Sequence, residues 1–481
     1  MLITLVVLLA VALLLVLLAV RMPVALALAL SGGIGLVLLH GFGYGTNVLR
    51  SVPFSSTASF SLTIIPMFIL MGMLAMRARI AEQVFAIANR AVRRLPGGLG
   101  VATVMACAGF SAVSGSSIGT AATMSKLSVS EMRAYGYPPA LATGIVAIAG
   151  TLGVIIPPST FLVLYAIMTG VSVSKMLAAG IIPGLISALG YIIYIIVVGH
   201  RRIDRSAATL REEVAVAHSQ AAAATRKDSS RGAGAAPTPR DGSVLTATAS
   251  TSGADRRAAG RLPWRGLVWL AVIFAIIVGG IFSGVFTSIE SAAIAAFVAV
   301  LILGFESRRD GLRVFWDRLK GALLDTAQTT SMVFMILLGS SILSTFLIAA
   351  HVPDAITAWV AELNAPPLVI MALLLLLLLP LGTALDEISV LIITVPILYP
   401  VAMELGFDGI WLGVMIVKLT AIGMVTPPVG MTCFVVSGTS GVKIETVFKG
   451  VLPLMIMDLI VSAVLFLVPA ITLFLPSLAQ R

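Results

Sequence analysis

Residues 2–20 contain no charged side chain, and further apolar runs of similar length follow along the chain. A helix that crosses the hydrocarbon core of a bilayer needs about 20 consecutive apolar residues, so these runs are long enough to span a membrane. The chain of 481 residues is 59% hydrophobic and only 11% charged, whereas soluble proteins carry about 25% charged residues. The sequence therefore predicts an all-α polytopic membrane protein.

Ten apolar runs are predicted to cross the membrane as helices: 2–20, 23–40, 60–76, 138–170, 180–199, 264–283, 288–304, 321–349, 409–439 and 450–476. A cleaved signal peptide is the alternative for the first run. No basic residues precede that run, and Arg21-Met22-Pro23 is a poor cleavage site, so a retained helix is expected. Lys and Arg cluster in the short loops, which are typically cytoplasmic when they are basic. This distribution predicts that both termini are periplasmic.

Two more apolar segments, 98–130 and 366–402, fit this topology only if each enters and leaves the membrane on the same side. Both are therefore predicted to be re-entrant helical hairpins. Their expected tips, 111–120 and 380–389, are polar. Irregular backbone within a bilayer is tolerated only where protein or a water-filled cavity satisfies it, so the tips are expected to be functional.

A basic, Ala- and Ser-rich segment separates the two halves of the chain. Residues 200–265 contain 12 Arg or Lys and 6 Asp or Glu. This composition predicts a disordered cytoplasmic linker at 200–263, between a first half at 1–199 and a second half at 264–481. The segment is interpreted as a flexible insertion, with binding to anionic lipid as the alternative.

The two halves repeat each other at an offset of 270 positions (427 minus 157). This offset aligns Gly136 with Gly406, Gly153 with Gly423, Pro157 with Pro427 and Pro158 with Pro428. Each half then has a hairpin followed by a membrane helix broken at Gly-x-x-x-Pro-Pro, within 138–170 and 409–439. Because the first half starts outside and the second inside, the predicted fold is an inverted-topology repeat.

The two Gly-x-x-x-Pro-Pro sequences are expected to unwind the helices that contain them. Proline removes a backbone donor and glycine weakens a helix, so backbone carbonyls are left free within the membrane. In secondary transporters, such breaks at a repeat interface coordinate Na⁺ or H⁺, and half-helix N-termini face an anionic substrate. A single proline kink is common in membrane helices, so it is the matched pair of breaks that predicts an ion-coupled transporter.

Four ordered blocks of the sequence resemble one transporter family. They are SGSSIGTAATMSKLSVSEMRAYGYPPALATGIVAIAGTLGVIIPPS (114–159), GIFSGVFTSIESAA (280–293), LDEISVLIITVPILYPVAMELGFD (385–408) and AIGMVTPPVG (421–430). Together they are similar to the large permease subunit of tripartite ATP-independent periplasmic (TRAP) transporters, of the DctM type. The resemblance covers nearly the whole chain apart from the linker.

The resemblance implies a function and a set of partners. It implies Na⁺-driven import of a small organic acid across the bacterial inner membrane, with an elevator motion of the hairpins and broken helices against a scaffold. It also implies a periplasmic substrate-binding protein and a small four-helix membrane subunit as partners. No P-loop is present in the sequence, so ATP is not the expected energy source. Nucleic acid is not an expected partner, since the positive charge lies in the loops.

Candidate cation ligands are carbonyl and hydroxyl groups at each tip and break, because Na⁺ is a hard cation. The first set is Ser114, Ser116, Ser117, Gly153, Ile156 and Pro158, and the second set is Gly382, Asp386, Gly423, Thr426 and Pro428. For any single serine, a hydrogen bond back to its own helix is the alternative. The candidate substrate contacts are Ser116, Ser159, Thr160, Asp386 and Lys418.

Lys418 follows the uncharged stretch 409–417 and so lies about 14 Å into its span. A buried ammonium group needs a partner. Either a substrate carboxylate fills that role, or Lys418 pairs with Asp386 or Glu387 as a structural contact.

Three other functions stay open from the sequence. A stand-alone Na⁺- or H⁺-coupled carboxylate or ion carrier of the same architecture is the nearest. A passive channel is another. An intramembrane enzyme is disfavoured because no histidine lies in either tip and the four histidines have no ligand spacing. The chain is therefore expected not to be an enzyme and to use no organic cofactor.

Overall fold

The computed structural model describes residues 2–20, 22–92, 94–199, 264–352, 354–355, 358 and 365–478. The predicted linker at 200–263 lies outside the described residues. All regular secondary structure in the described ranges is helical.

The helices of the first half are numbered in chain order: α1 (Leu2–Ala19), α2 (Val24–His40), α3 (Phe42–Thr57), α4 (Ile64–Arg77), α5 (Ile80–Val92), α6 (Gly98–Ser114), α7 (Ser117–Met124), α8 (Ser130–Ala134), α9 (Pro139–Gly150), α10 (Leu152–Ile155), α11 (Thr160–Thr169) and α12 (Val173–Tyr194). Those of the second half are α13 (Trp264–Phe274), α14 (Gly280–Phe282), α15 (Ser288–Ser307), α16 (Leu312–Ala349), α17 (Pro367–Leu376), α18 (Leu378–Ala384), α19 (Glu387–Glu404), α20 (Gly409–Gly423), α21 (Met431–Ser440), α22 (Ile444–Leu467) and α23 (Pro469–Leu478). Wider π-helical turns connect α7 to α8 and α13 to α14.

Eight helical segments of the described chain are long and apolar enough to cross a membrane. Two differences from the predicted spans are corrections. The run 450–476, predicted as one span, is two helices, α22 and α23, because Pro469 cannot donate to a continuing helix and disfavours helical backbone at Val468. Helix α3 was not predicted at all, since its Gly, Asn, Arg and Ser residues give no apolar run.

The predicted fold class is confirmed, with two hairpins and two broken helices. The first hairpin turns between α6 and α7, and the second turns between α18 and α19. The first broken helix consists of α9 and α10 followed by α11, with irregular backbone at 156–159. The second consists of α20 and α21, with the interruption at 424–430.

The link between hairpin and broken helix is the same in both halves. Gly136 has φ +83° and its repeat equivalent Gly406 has φ +81°. Residues with a side chain rarely adopt this left-handed backbone conformation, so glycine is needed where the chain reverses direction in each half. The offset found in the sequence therefore corresponds to an equivalent turn in the fold.

Helices of the two halves interlock rather than forming separate bodies. Helix α16 packs along α2, α3 and α4, and α15 also packs on α4. Helix α9 of the first half packs along α22 of the second. At that crossing the backbones touch: a Cβ on Gly144 would overlap the backbone of Gly450. Small residues permit such close helix contacts in membrane proteins.

A hydrogen bond joins the scaffold helix α16 to the second hairpin. Pro396 lies inside α19 and has no N–H, which leaves the carbonyl of Ile392 one turn earlier without its helical donor. The Ser340 hydroxyl of α16 donates to that carbonyl at 3.2 Å. The proline therefore creates an acceptor that a neighbouring helix uses.

Candidate functional site

The two hairpin tips meet at one cavity of about 340 Å³, here called the tip cavity. Both tips contribute to it, together with α11, and the opposite wall is formed by α4 and α16. The lining residues are Ile65, Ile69, Gly72, Met73, Met76, Ser114, Gly115, Ser116, Ile118, Gly119, Thr160, Leu164, Thr329, Met332, Val333, Asp386, Glu387 and Ile388. The cavity is thus apolar on the scaffold side and polar at the tips.

The first tip is a glycine turn followed by a capped helix. Gly115 has φ +60°, which allows the chain to reverse after α6. The Ser116 hydroxyl accepts a hydrogen bond from the backbone N–H of Gly119 at 3.2 Å, so Ser116 is the N-cap of α7. The hydroxyls of Ser114 and Thr120 are hydrogen-bonded at 2.7 Å. These contacts fix the tip with the N-terminus of α7 at the cavity.

The first break is closed by a serine side chain. Pro157 and Pro158 have no N–H, so the helix cannot continue through them. The Ser159 hydroxyl donates to the Val154 carbonyl at 2.5 Å and accepts from the backbone N–H of Leu162 at 3.3 Å. Ser159 is fully buried and does not line the tip cavity. Ser159 was predicted as a substrate contact, whereas both of its observed hydrogen bonds are to the backbone of the broken helix.

The first tip and the first break touch through backbone. A Cβ on Gly153 would lie 2.6 Å from the carbonyl oxygen of Ser116, so only glycine fits there. The Thr160 hydroxyl donates to the Gly115 carbonyl at 3.2 Å. The Pro158 carbonyl oxygen lies 3.0 Å from where a Cβ on Gly115 would be. The predicted proximity of tip and break is therefore observed in the first half.

The second tip uses an acid where the first uses a serine. Asp386 is the N-cap of α19, and its carboxylate accepts from the Ser389 backbone N–H at 3.2 Å and from the Ser389 hydroxyl. Asp386 lies 270 positions after Ser116 (386 minus 116), so the two caps are repeat equivalents. Both project into the tip cavity. The carboxylate brings a negative charge that the first tip lacks.

Glu387 lines the same cavity and reaches toward the first tip. The backbone N–H of Ser117, in the first tip, lies near the Glu387 carboxyl group. Its Oε1 atom is shielded from solvent and has no hydrogen-bond partner among the described residues. From the sequence, Glu387 is an acid of the second tip and a possible partner for Lys418, and it is not among the predicted site residues. The available signal was an acid beside Asp386 in an otherwise uncharged hairpin.

The second break is exposed, in contrast to the first. Pro427, Pro428 and Val429 are exposed. The Thr426 hydroxyl donates back to the Ile422 carbonyl at 2.7 Å, which is the local alternative to ligation. None of these residues lines the tip cavity.

The second break is nevertheless attached to both hairpins. A Cβ on Gly423 would lie 2.7 Å from the Leu379 carbonyl oxygen and 2.8 Å from the Cα of Gly382. The Ser117 hydroxyl of the first tip is 4.0 Å from the sulfur of Met424. The chain segment at the second break therefore lies between the two tips, although it does not open into their cavity.

Lys418 is paired, but not with either acid considered from the sequence. It forms a buried ion pair with Asp458 of α22, and its ammonium group donates to the Ser187 hydroxyl of α12 at 2.7 Å. Lys418 and Asp458 are 3% and 0% exposed. The expected pairing with Asp386 or Glu387 is wrong, because α20 turns this face toward α12 and α22 rather than toward the tip.

The structure brings only part of the predicted site together. Of the substrate candidates, Ser116, Thr160 and Asp386 line the tip cavity, whereas Ser159 and Lys418 do not. Of the cation candidates, the lining includes Ser114, Ser116 and Asp386. The side chain of Ile156 packs against Gly184 of α12, so only its backbone is available as a ligand.

The lining of the tip cavity contains acidic side chains and no basic ones. Asp386 and Glu387 are the acids in its lining, and the lining contains no Lys, Arg or His. An organic anion entering this cavity meets acidic side chains without a basic residue to pair with. Cavities of this kind favour cations, which hydroxyl and carboxylate oxygens can coordinate.

The chain is similar to known transporter subunits. The family described as "Tripartite ATP-independent periplasmic transporter, DctM component" matches residues 11–471. A C4-dicarboxylate TRAP transporter large permease protein of Pseudomonas aeruginosa is 31% identical over 428 residues, which cover 88% of each chain. An isethionate TRAP transporter permease protein, DctMQ, of Oleidesulfovibrio alaskensis is 30% identical over 89% of this chain and 60% of that longer protein.

A similar fold occurs in a solved structure. The crystal structure of the Alcanivorax borkumensis YdaH transporter, described as having an unusual topology, superposes with a TM-score of 0.57. The match covers 89% of this chain and 88% of that one, at 14% sequence identity. At this identity the likeness concerns the fold alone.

Proposed function

The chain belongs to the DctM component family of tripartite ATP-independent periplasmic transporters, and from this premise we propose that it couples import of a small organic acid to entry of Na⁺. As a large permease component it is a transport protein and not an enzyme. The relatives named above are permeases for a C4-dicarboxylate and for isethionate, both organic acids. Their substrates support the class of cargo proposed here.

The observation that carries the proposal is the tip cavity, which both hairpins form and line with acidic side chains. Asp386 and Glu387 lie in its lining with no basic residue. An anion in this space is stabilised if a cation enters with it, since an unpaired charge in a low dielectric is costly. The acidic lining therefore supports the proposed coupling to a cation.

The cation ligands proposed are the oxygen atoms at each tip and its neighbouring break. In the first half they are Ser114, Ser116, Ser117, Gly153, Ile156 and Pro158, and in the second half Gly382, Asp386, Gly423, Thr426 and Pro428. The close backbone contact of each broken helix with its hairpin supports this grouping. Ser116, Thr160 and Asp386 are proposed to contact the substrate.

The motion proposed is an elevator movement. The two hairpins and two broken helices would move together against a scaffold that includes α2, α4, α15 and α16. The contacts among the hairpins and broken helices of both halves support their motion as one unit. The Ser340 hydrogen bond to the second hairpin would break and reform in each cycle.

The partners proposed are a periplasmic substrate-binding protein and a small four-helix membrane subunit. The name DctMQ of the longer relative supports a second membrane component. The proposed location is the bacterial inner membrane with both termini in the periplasm and the 200–263 linker in the cytoplasm. Lys and Arg in the loops between helices support that orientation.

The energy available from Na⁺ is sufficient for accumulation. One positive charge that moves inward across 100 mV contributes about 2.3 kcal/mol, and a tenfold Na⁺ gradient adds about 1.4 kcal/mol per ion. Two Na⁺ ions that enter with a dianion carry no net charge across the membrane, so the two gradients alone supply about 2.8 kcal/mol, which corresponds to about a hundredfold accumulation.

Thermal unfolding of the purified full chain tests the cation sites without a known substrate. NaCl is expected to raise the melting temperature saturably relative to KCl at equal ionic strength. Ser116→Ala and Thr426→Ala should each raise the half-saturating Na⁺ concentration by about tenfold, which corresponds to about 1.4 kcal/mol. Thr439→Ala is the control, because its hydroxyl bonds its own helix away from the break. Identical melting in NaCl and KCl would contradict Na⁺ binding, and unchanged Na⁺ curves in both variants would reject the assigned ligands.

A stand-alone carrier of the same architecture is the second candidate. Uptake into proteoliposomes that contain only this chain and the small subunit would favour the stand-alone carrier. Uptake only after a binding protein is added would favour the tripartite system.

A further inference from the structure

An ion pair lies one helical turn beyond the scaffold wall of the tip cavity. On α4, Met73 lines the cavity and Arg77 is four positions later. On α16, Thr329 lines the cavity and Asp325 is four positions earlier. Residues four apart lie on the same face of a helix, so the two charged residues continue the faces that form the wall. The Arg77 guanidinium donates to the Asp325 carboxylate at 2.5 Å, which places the pair at the rim of the cavity.

Arg77 is the basic residue nearest the tip cavity along the segments that line it. It directly follows the lining residue Met76. The segments that contribute to the lining contain no Lys or Arg over 64–76, 98–125, 160–169, 321–349 and 367–404. An organic acid that leaves the cavity along α4 and α16 on this side therefore meets Arg77 as its first basic partner.

The guanidinium of Arg77 lies against the backbone of α16 and retains free donors. A Cβ on Gly321 would lie 2.6 Å from its Nη1 and 2.9 Å from its Cζ, so the absence of a side chain at Gly321 makes room for it. The described chain gives the guanidinium one hydrogen bond, to Asp325. A guanidinium has five N–H donors. The others are available to a second acceptor from the cavity side or from solvent.

The pair of Arg77 and Asp325 can exchange partners because it is accessible. Their side chains are 42% and 43% exposed. Exposed ion pairs contribute little stability, since water screens both charges. An incoming acid group can therefore replace Asp325, whose carboxylate then returns to water. The buried pair of Lys418 and Asp458 has no such exchange, because neither side chain reaches solvent.

We propose that Arg77 is a receptor for the acid group of the substrate on the cytoplasmic side of the tip cavity, and that Asp325 occupies this receptor when no substrate is present. The inference rests on the proposed function and adds to it a binding site outside the tip cavity. Carboxylates and sulfonates fit this site, because two of their oxygens match the planar fork of a guanidinium. Since α4 and α16 belong to the proposed scaffold, Arg77 stays in place while the tips move and meets the substrate at one end of the movement.

A purely structural link between α4 and α16 is the competing interpretation. Under that interpretation the two partners are equivalent: loss of either one lowers stability, and neither changes the binding of acids. A receptor makes the two residues opposite in effect. Loss of Asp325 removes a competitor and strengthens acid binding, whereas loss of Arg77 removes the receptor itself.

Melting temperatures of the purified full chain at constant NaCl measure the binding of two acids, succinate and isethionate, with uncharged succinamide as the comparison. Asp325→Ala should bind at least one of the acids about fivefold more tightly than the unsubstituted chain, which corresponds to about 1 kcal/mol for loss of the competing ion pair. The double variant Arg77→Met/Asp325→Ala should lose this gain. Arg77→Lys/Asp325→Ala should keep part of it, because the charge remains without the fork. Succinamide should give no shift in any variant.

Asp310→Ala is the matched control for the removal of one acid. It frees Arg318 of the same helix from an ion pair of 2.7 Å, and neither residue lines the tip cavity. Acid binding should be unchanged in this variant. An equal gain in Asp310→Ala and Asp325→Ala, a gain that persists in Arg77→Met/Asp325→Ala, or no gain with either acid would each overturn the inference.

The same melting curves separate this inference from the proposed function. If NaCl stabilises the chain relative to KCl but Asp325→Ala gains no acid binding, the receptor is rejected and Na⁺ binding stands. If the gain depends on Arg77 but NaCl and KCl act alike, the acid receptor stands and the coupling to Na⁺ is rejected.

Discussion

The first and second breaks have the same sequence pattern but different surroundings. At the first break, residues 156–159 are buried, and Ser159 closes the interruption by bonding both helix ends. At the second, Pro427, Pro428 and Val429 are exposed, and Val429 stands where the repeat places Ser159. A valine has no hydroxyl with which to close the break.

This difference shows that a repeat in sequence fixes the place of an interruption but not how tightly it is closed. The first break is held by side-chain hydrogen bonds and by its tip. The second is held by backbone contact at Gly382 and Gly423 and by two hydrogen bonds across the break, from the Thr432 N–H to the Met424 carbonyl and from the Cys433 thiol to the Val425 carbonyl. We therefore expect the second break to open more readily, and the first to behave as a fixed part of the moving unit.

The largest expected effect comes from breaking the buried ion pair of Lys418, which also links the two halves of the chain. Lys418 of the second half bonds Asp458 and also Ser187 of the first half. Lys418→Met should destabilise the protein by about 3–5 kcal/mol, because it leaves a buried carboxylate unpaired. Thermal unfolding in detergent measures this loss. The double variant Lys418→Met/Asp458→Leu should recover most of it; equal damage in single and double variants would show that the charge pair is not the cause.

A smaller effect is expected where each broken helix touches its hairpin. A methyl group on Gly153 or Gly423 would meet backbone atoms that cannot rotate away. Each Ala variant should lose about 1–3 kcal/mol of stability and most Na⁺ binding, because overpacking forces the tip from its break. Gly438→Ala is the control, since nothing lies within 4 Å of a Cβ there. If Gly423→Ala were harmless while Gly153→Ala was not, the second contact would be looser than described.

The smallest effects are expected from substitutions of Ser159 and Val429, which occupy equivalent positions at the two breaks. Ser159→Ala should cost about 1–2 kcal/mol, because it removes a helix cap and leaves the buried Val154 carbonyl unsatisfied. Val429→Ala should stay within about 0.5 kcal/mol, as is usual at exposed positions. Melting temperatures of the two variants check the difference directly. Equal costs at both positions would remove the asymmetry between the breaks.

Much of the architecture could be predicted because it depends on local chemistry. Long apolar runs specify membrane helices, and a proline pair interrupts a helix wherever it occurs, so both breaks and both hairpins were found. Helix α3 was missed because its polar residues give no apolar run, although its sequence is helical. The run 450–476 was predicted as one span because it is apolar throughout, whereas Pro469 divides it into two helices at Val468.

The site could be predicted only in part. Ser116 and Asp386 were predicted because they lie in the hairpin tips, and Thr160 because it follows the first break. All three line the tip cavity. Ser159 was predicted as a substrate contact, and its hydroxyl bonds backbone in this structure, as a hydroxyl beside a break can do as readily as it bonds a ligand. The partners of Lys418 lie on α12 and α22, which are distant in sequence.

The sequence by itself determined that the chain is helical, membrane-embedded and twofold repeated, because apolar run length and the backbone chemistry of glycine and proline act within a few residues. The tertiary structure decided which side chains share a cavity, which buried charge has which partner, and which break is covered. These depend on how helices from both halves pack against one another, and the free energy of burying a charge or a hydroxyl is set by neighbours that no local pattern specifies.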